Sequence, residues 1–527
     1  MTDARMEPSW WRGAVFYQVY VRSWRDTDGD GYGDLKGVIG GLDYLTWLGV
    51  DAIWLSPTMP SPDHDWGYDV SDYLGVHPEL GALEDIDRLI AAAGERNMRV
   101  LLDLVPNHTS TDHAWFVEAR QSKNAPHRDW YVWADPAPDG SPPNNWLDAS
   151  AESAWTLEPT TGQYYLHNFL PTQPDLNWWN PAVHDEFENI LRFWFDRGIA
   201  GFRIDVAHGI YKDADLRDNP PLPPRSLGGH GGQEQRYSAN RPETHELYRQ
   251  WRKLAEEYES PRLLLGETYV LEVSKLLSFY GQDDELQLAF NFPFIYSSFN
   301  ARSLAKVVSD TVRGLPEGAA PVWTLSNHDV SRFPTRWCEG DDAKSALALT
   351  ILLTLPGTAV IYYGDEIGMP DVDVPLEQQH DDMHLGGRGG RPSRDRSRTP
   401  MQWDRSALGG FAPPDTIPWL PVGDVLTHNV ADEREDPESL LSHCRELIRL
   451  RHAYIQGHAD VYAELHLTDD LWVYRTGELI VAVNFGNEPV EVAGLSGIVV
   501  LSTGVPPGDT SDTRRLAGRE ALVVRAE

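Results

Sequence analysis

Three carboxylates stand at or just beyond the ends of short apolar, β-rich runs: Asp205 in GFRIDV, Glu267 in RLLLGE and Asp329 in PVWTLSNHD. A further run, RVLLDL, carries Asp103 and leads into Asn107-His108. Arg203 precedes Asp205 by two residues, so their side chains share one face of a strand. Taken singly, a polar residue after a strand is a helix cap or a loop hydrogen-bonder. Its recurrence at several strand ends, with Arg203, His108 and His328 alongside, points to chemistry. No nucleophile elbow for a Ser-His-Asp triad is present, and the histidines lack the H-E-x-x-H spacing of a zinc site. The set suits glycoside cleavage. One carboxylate attacks the anomeric carbon. A carboxylic acid protonates the leaving oxygen and then serves as base for water, while the third carboxylate holds the sugar.

Eight apolar runs can position these groups. They begin at Ala14, Asp51, Arg99, Gly201, Arg262, Leu286, Pro321 and Thr358. Helical patterns lie between them; Phe187, Ile190, Leu191, Trp194 and Phe195 follow i, i+3, i+4, i+7, i+8. Continuously apolar strands alternating with helices predict a parallel sheet covered on both sides, and eight such units an α/β (β/α)8 barrel with its site at the C-terminal strand ends. The expected boundaries are 1–105 and 173–456 for the barrel, 106–172 for a small domain inserted after the third strand, and 457–527 for a C-terminal antiparallel β-sandwich. Two polar, Gly/Pro-rich insertions fall near 212–242 and 370–420.

The stretch DTDGDGYGDL places aspartates at 26, 28, 30 and 34 among glycines. It begins like an EF-hand loop, but position 12 is Gly37 rather than Glu, which leaves a different calcium loop or a solvated acidic turn. The net charge of −35 disfavours nucleic acid and anionic membranes as partners. The run Ala346–Tyr363 is broken by Thr350, Thr354 and Pro356-Gly357, and reads as a buried helix, a turn and a strand rather than a membrane span. Two cysteines, Cys338 and Cys444, read as free thiols, and the N-terminus lacks a signal pattern. The expectation is a cytoplasmic protein, monomer or homodimer.

The ordered motifs GVDAIWLSP, DLVPNH, QPDLN, GFRIDVAH, GETY, SNHD and GTAVIYYGDEIG resemble those of glycoside hydrolase family 13, the α-amylase family. The resemblance implies Asp205 as nucleophile, Glu267 as general acid/base and Asp329 as transition-state stabiliser. Arg203 would hold Asp205 ionised, whereas Glu267 must carry a proton when the sugar arrives. His108 and His328 would bind glucose hydroxyls. QPDLN, DWGYDVSDY and RDRSRTPMQW resemble the oligo-1,6-glucosidase and α-glucosidase branch. There Asp65 and Tyr68 would close the non-reducing end, with Tyr68 stacked under the sugar, and Arg398 would pair with Asp65 or reach a hydroxyl. The implied activity is an exo-acting, retaining α-glucosidase on short oligosaccharides, with transglycosylation alongside. Val206, after the nucleophile, resembles α-1,6 enzymes, while Ala207-His208 resembles α-1,4 or broader ones. The same branch carries a D-x-[DN]-x-D-G-x-G-D loop for one structural Ca2+ or Mg2+. By that match Asp26, Asp28, Asp30 and Asp34 supply carboxylates and Tyr32 its carbonyl.

Overall fold

The computed structural model describes residues 9–223, 231–384, 391–458, 461–492, 495, 497–504 and 515–525. Parts of the two Gly/Pro-rich insertions, 224–230 and 385–390, lie outside them. Among the described residues, eleven strands precede the C-terminal region. They are β1 (Val15–Val19), β2 (Ala52–Leu55), β3 (Arg99–Leu104), β4 (Trp133–Ala134), β5 (Trp155–Glu158), β6 (Gln163–Leu166), β7 (Gly201–Ile204), β8 (Leu263–Gly266), β9 (Leu288–Ala289), β10 (Val322–Thr324) and β11 (Thr358–Tyr362). Eight form one parallel sheet in the order β10-β11-β1-β2-β3-β7-β8-β9, and they are the eight runs expected. The parallel bridge Phe290–Val322 joins its two edges and closes the barrel.

Alternation along each strand builds two apolar layers. Phe16, Trp54, Leu101, Leu263, Leu265, Leu288, Val322 and Val360 pack together on one face. Val15, Tyr17, Ile53, Leu102, Leu264, Trp323 and Ile361 pack on the other, against the helices. Both faces are therefore buried, which is why the strands read as unbroken apolar runs. The helix Pro181–Arg197 shows how a covering element is specified. Asn180 accepts the Ala182 N–H at its start, Phe187, Ile190, Leu191, Trp194 and Phe195 are buried, and Gly198 ends it at φ 102°. The run from Ala346 is buried helix (Asp342–Thr354) and then β11. The hydroxyls of Thr350 and Thr354 donate to the carbonyls of Ala346 and Thr350, so they are satisfied inside the helix.

Between β3 and β7, strands β4, β6 and β5 form a three-stranded sheet. Toward the C-terminus lie β12 (Tyr462–Leu467), β13 (Leu471–Thr476), β14 (Leu479–Asn484), β15 (Val490–Glu491), β16 (Ile498–Ser502), β17 (Arg515–Leu516) and β18 (Ala521–Arg525). Five of them form an antiparallel sheet, β12-β13-β14-β18-β16, beside the β15–β17 ribbon. Trp472, Tyr474, Val481 and Val523 join the main core, while Val473, Ile480, Ala482 and Val524 pack with Val492 and Leu516 on the opposite face. Cys338 and Cys444 are buried and unpaired. No helix among the described residues is long and apolar enough to cross a membrane.

Arg451, fully buried on the helix Leu440–Tyr454, ties that helix to the residues just before β1 and to the turn before β11. Its guanidinium donates to the carbonyls of Gly13 (2.9 Å), Leu353 (3.0 Å) and Leu355 (2.7 Å), and to that of Gly357. Arg451→Met orphans these carbonyls, each at a cost of about 1–3 kcal/mol if water cannot reach it. We expect a loss of at least about 3 kcal/mol in urea unfolding; an unchanged midpoint would contradict this role.

Candidate active site

Strand register assembles the centre of the site. Asp103 on β3 pairs with Arg203 on β7, and Ile204 pairs with Gly266 on β8. The next residues along β7 and β8, Asp205 and Glu267, are therefore neighbours. Arg203, fully buried, serves three carboxylates: Nη1 lies 2.9 Å from Asp103 Oδ1 and 2.7 Å from Asp205 Oδ1, and Nη2 lies 2.9 Å from Glu267 Oε2. Asp103 Oδ2 also accepts from Tyr68 OH (3.0 Å) and Trp54 Nε1 (3.2 Å).

The chain turns sharply after Asp205. Val206 sits at φ 46°, which a β-branched residue adopts only under constraint. The turn aims the Val206 N–H at Glu267 Oε2 (3.0 Å) and the Ala207 N–H at the Glu267 carbonyl (3.0 Å).

One guanidinium faces three carboxylates, of which Asp103 and Asp205 are buried. Burial, followed by the nearby Glu267 and Asp103 charges, pushes the Asp205 carboxyl well up against the pull of Arg203. Burial likewise raises Asp103 to about 6. Arg203 thus pulls Asp205 toward ionisation, and burial opposes it.

Asp329 is held differently. Its Oδ1 lies 3.0 Å from Arg394 Nη1 and 3.1 Å from Arg398 Nη2, and its Oδ2 lies 3.1 Å from His328 Nε2. Burial opposes ionisation, but His328 and the two arginines outweigh it and hold Asp329 well below the usual carboxylate range. The His328 ring stacks parallel on Tyr68 at 5.1 Å, and Gln18 Nε2 lies 2.8 Å from its Nδ1.

A cleft of about 500 Å³ opens over these groups. Asp65, Tyr68, His108, Asp205, Val206, Glu267, Asp329 and Arg394 line it, with Tyr269, Phe292 and Tyr296. Arg203, His328 and Arg398 are fully buried.

Arg398 requires a correction. It neither pairs with Asp65 nor faces the cleft; its Nε donates to the His328 carbonyl at 2.8 Å and an Nη steadies Asp329. The partner of Asp65 is Arg394, at 2.7 Å. The two arginines lie about one turn apart across the 3-10 segment Arg394–Ser397, and the sequence carries no signal for which of them faces Asp65. Asp381, also unsuspected in a polar loop, receives Arg394 at 2.6 Å. Gln173, quoted within QPDLN, donates to Asp65 Oδ2 at 3.0 Å.

In the acidic loop, Asp26, Asp28 and Asp34 bring carboxylate oxygens within 4.8 Å of one another. Asp26 and Asp34 are buried, and none of the three pairs with Arg or Lys among the described residues. An all-oxygen donor set of this kind fits a hard divalent cation. Asp30 stands outside the cluster, exposed, with its Oδ1 accepting the Tyr32 N–H at 2.8 Å. In a second group, Asp63, His77 and Glu79, both carboxylates pair with Arg22.

The profile of the alpha-amylase catalytic domain matches residues 18–457. The chain belongs to the alpha-amylase family. A domain of unknown function matches residues 449–523. A probable alpha-glucosidase of Rhizobium meliloti is 41% identical, over 86% of this chain and 84% of that protein. An oligo-1,6-glucosidase of Heyndrickxia coagulans is 38% identical, over 91% and 93%. Among solved structures, an alpha-glucosyl transfer enzyme superposes with a TM-score of 0.90 at 36% identity, covering 98% of this chain and 99% of its own.

Arg394 gathers Asp65, Asp329 and Asp381, so its substitution has a pH signature. Burial works against ionisation, but the arginines keep the Asp329 and Asp381 carboxyls below their unfolded values. Their stabilising contribution is complete above the unfolded carboxylate range near pH 4 and is lost as pH falls through the folded values. Arg394→Met should destabilise by about 2–4 kcal/mol at pH 7 and by less at pH 4. Equal losses at both pH values in urea titrations would contradict the network.

Proposed function

We propose that this protein is an exo-acting, retaining α-glucosidase. It releases glucose from the non-reducing end of short α-glucosides such as maltose, malto-oligosaccharides and sucrose, with transfer to a second sugar as a side reaction. The observation that carries this reading is the Arg394 bridge in the cleft wall. Arg394 joins Asp65 (2.7 Å) to Asp329 (3.0 Å), and all three line the cleft with Asp205 and Glu267, which supports reading that wall as the end that receives a terminal sugar.

Asp205 Oδ1 and Glu267 Oε2 are held by the two terminal nitrogens of one guanidinium, at 2.7 Å and 2.9 Å. That closeness supports direct attack by a carboxylate over the water-separated pair of an inverting enzyme. Asp205 attacks the anomeric carbon. Glu267, as the acid, gives a proton to the leaving oxygen and then takes one from the incoming water. Asp329, held ionised, binds sugar hydroxyls and supports the positive charge that develops on the ring. Tyr68, braced by Asp103 and His328, offers its ring to the apolar face of the glucose.

A second reading, oligo-1,6-glucosidase, is favoured by Val206 at the cleft wall. A methyl-sized difference there discriminates by about 1–3 kcal/mol. Initial rates on maltose, isomaltose, sucrose and trehalose separate the two readings.

Asp205→Asn should lower glucose release from maltose by about 10⁴-fold or more, and proton NMR of the wild-type reaction should show α-glucose first. β-Glucose as the first product would sink the proposal. We further propose that Asp26, Asp28 and Asp34 hold one structural Ca2+ or Mg2+. EDTA should then lower Tm while leaving the chemistry of the cleft intact; an unmoved Tm would leave only an acidic turn.

A further inference from the structure

Behind His108 lies a buried polar chain that never touches the cleft. Lys212 is 3% exposed, and Asn107 and Asp175 are fully buried. Lys212 Nζ lies 2.8 Å from Asp175 Oδ2 and donates to Asn107 Oδ1 at 2.6 Å and to the Ile210 carbonyl at 3.4 Å. An ammonium offers donors alone, so the Asn107 oxygen must face it. The Asn107 amide nitrogen then faces the other way. It donates to Asp175 Oδ1 (3.2 Å) and to His108 Nδ1 (3.0 Å).

This orientation constrains the imidazole. Nδ1 meets a donor and must accept. Nε2 lies 2.9 Å from the Tyr68 carbonyl, which can only accept. Gln173 Nε2 is also near, at 3.1 Å from His108 Nε2, but its hydrogens have acceptors in Asp65 Oδ2 (3.0 Å) and the Tyr68 carbonyl (3.4 Å). Burial lowers the His108 pKa, so the ring is neutral and carries a single proton. The charged groups bearing on it are Asp175, Asp65 and Lys212. A neutral ring with Nδ1 accepting has its proton on Nε2, on the side of Asp65 and Tyr68 in the cleft wall.

We propose that the buried Lys212–Asp175 pair is a positioning device: by fixing the Asn107 amide it holds the His108 proton on Nε2, where it is donated to the Tyr68 carbonyl and fixes both the ring and the Tyr68 backbone in the cleft wall. The kinetic consequence rests on reading the cleft as a glucose pocket. The proton position does not, and is measured without sugar.

The test uses the full chain labelled with 15N-histidine, with the His108 signals assigned by their loss in His108→Gln. Wild-type His108 should show a bare Nδ1 and a protonated Nε2. Lys212→Met alone strands a buried Asp175, so the informative variant is Lys212→Met/Asp175→Asn, which removes both charges together. It should average or invert the two nitrogen signals and raise KM for maltose about tenfold, with a smaller change in kcat. Asn107→Asp keeps Lys212 but offers Nδ1 a carboxylate oxygen. It should move the proton to Nδ1, and it decides the matter if the double variant does not fold. A wild-type proton on Nδ1, or a nitrogen pattern unchanged in the variants, would overturn the proposal. Loss of the Asp205→Asn effect would instead overturn the glucosidase reading and leave this one standing.

Discussion

Everything at the cleft floor depends on one fully buried guanidinium shared by three carboxylates. Arg203 reaches Asp103, Asp205 and Glu267, each within 3 Å. Removing charge from water costs several kcal/mol per ion, and the cluster carries one positive group against three acids. Burial, with that excess of acid, raises the Asp205 and Asp103 carboxyls. Glycoside cleavage needs one acid protonated and one carboxylate free. The barrel assembles the group through register: the β3–β7 and β7–β8 pairings bring Asp103, Arg203, Asp205 and Glu267 together across three neighbouring strands.

Around this floor stands a second set of charges. Asp329 and Asp65 are met by Arg394 and Arg398, with Asp381 behind Arg394. Here two cations serve three acids, against one at the floor, and Asp329 is held low while Asp205 is driven up. Two carboxylates facing one cleft thus acquire different tendencies from different counts of nearby charge. Backbone strain at Val206 works with this arrangement, because the left-handed turn is what places two N–H groups on Glu267.

The sequence could be read as far as it was because local chemistry and fold position coincide in a barrel. Strands buried on both faces appear as unbroken apolar runs, and the first polar residue after each run falls at the open end of the barrel. Asp205, Glu267, Asp329 and His108 were legible for that reason. Arg394, Asp381 and Lys212 were not. They lie in polar, loop-rich stretches where no periodicity marks an inward side chain, and their partners are 329, 13 and 37 residues away in Asp65, Arg394 and Asp175.

The sequence by itself determined the strand runs, the helix faces and caps, and the residue types able to cleave a glycoside, since each depends on a few adjacent side chains. It also marked the acidic loop as a cation candidate, though not which aspartates converge; the structure gathers Asp26, Asp28 and Asp34 and leaves Asp30 outside. The tertiary structure alone decided how many acids share Arg203, which arginine meets Asp65, and which nitrogen of His108 faces a donor. These are questions of distance and of competition for hydrogen-bonding atoms. They have no answer until the chain brings remote segments within about 3 Å of one another.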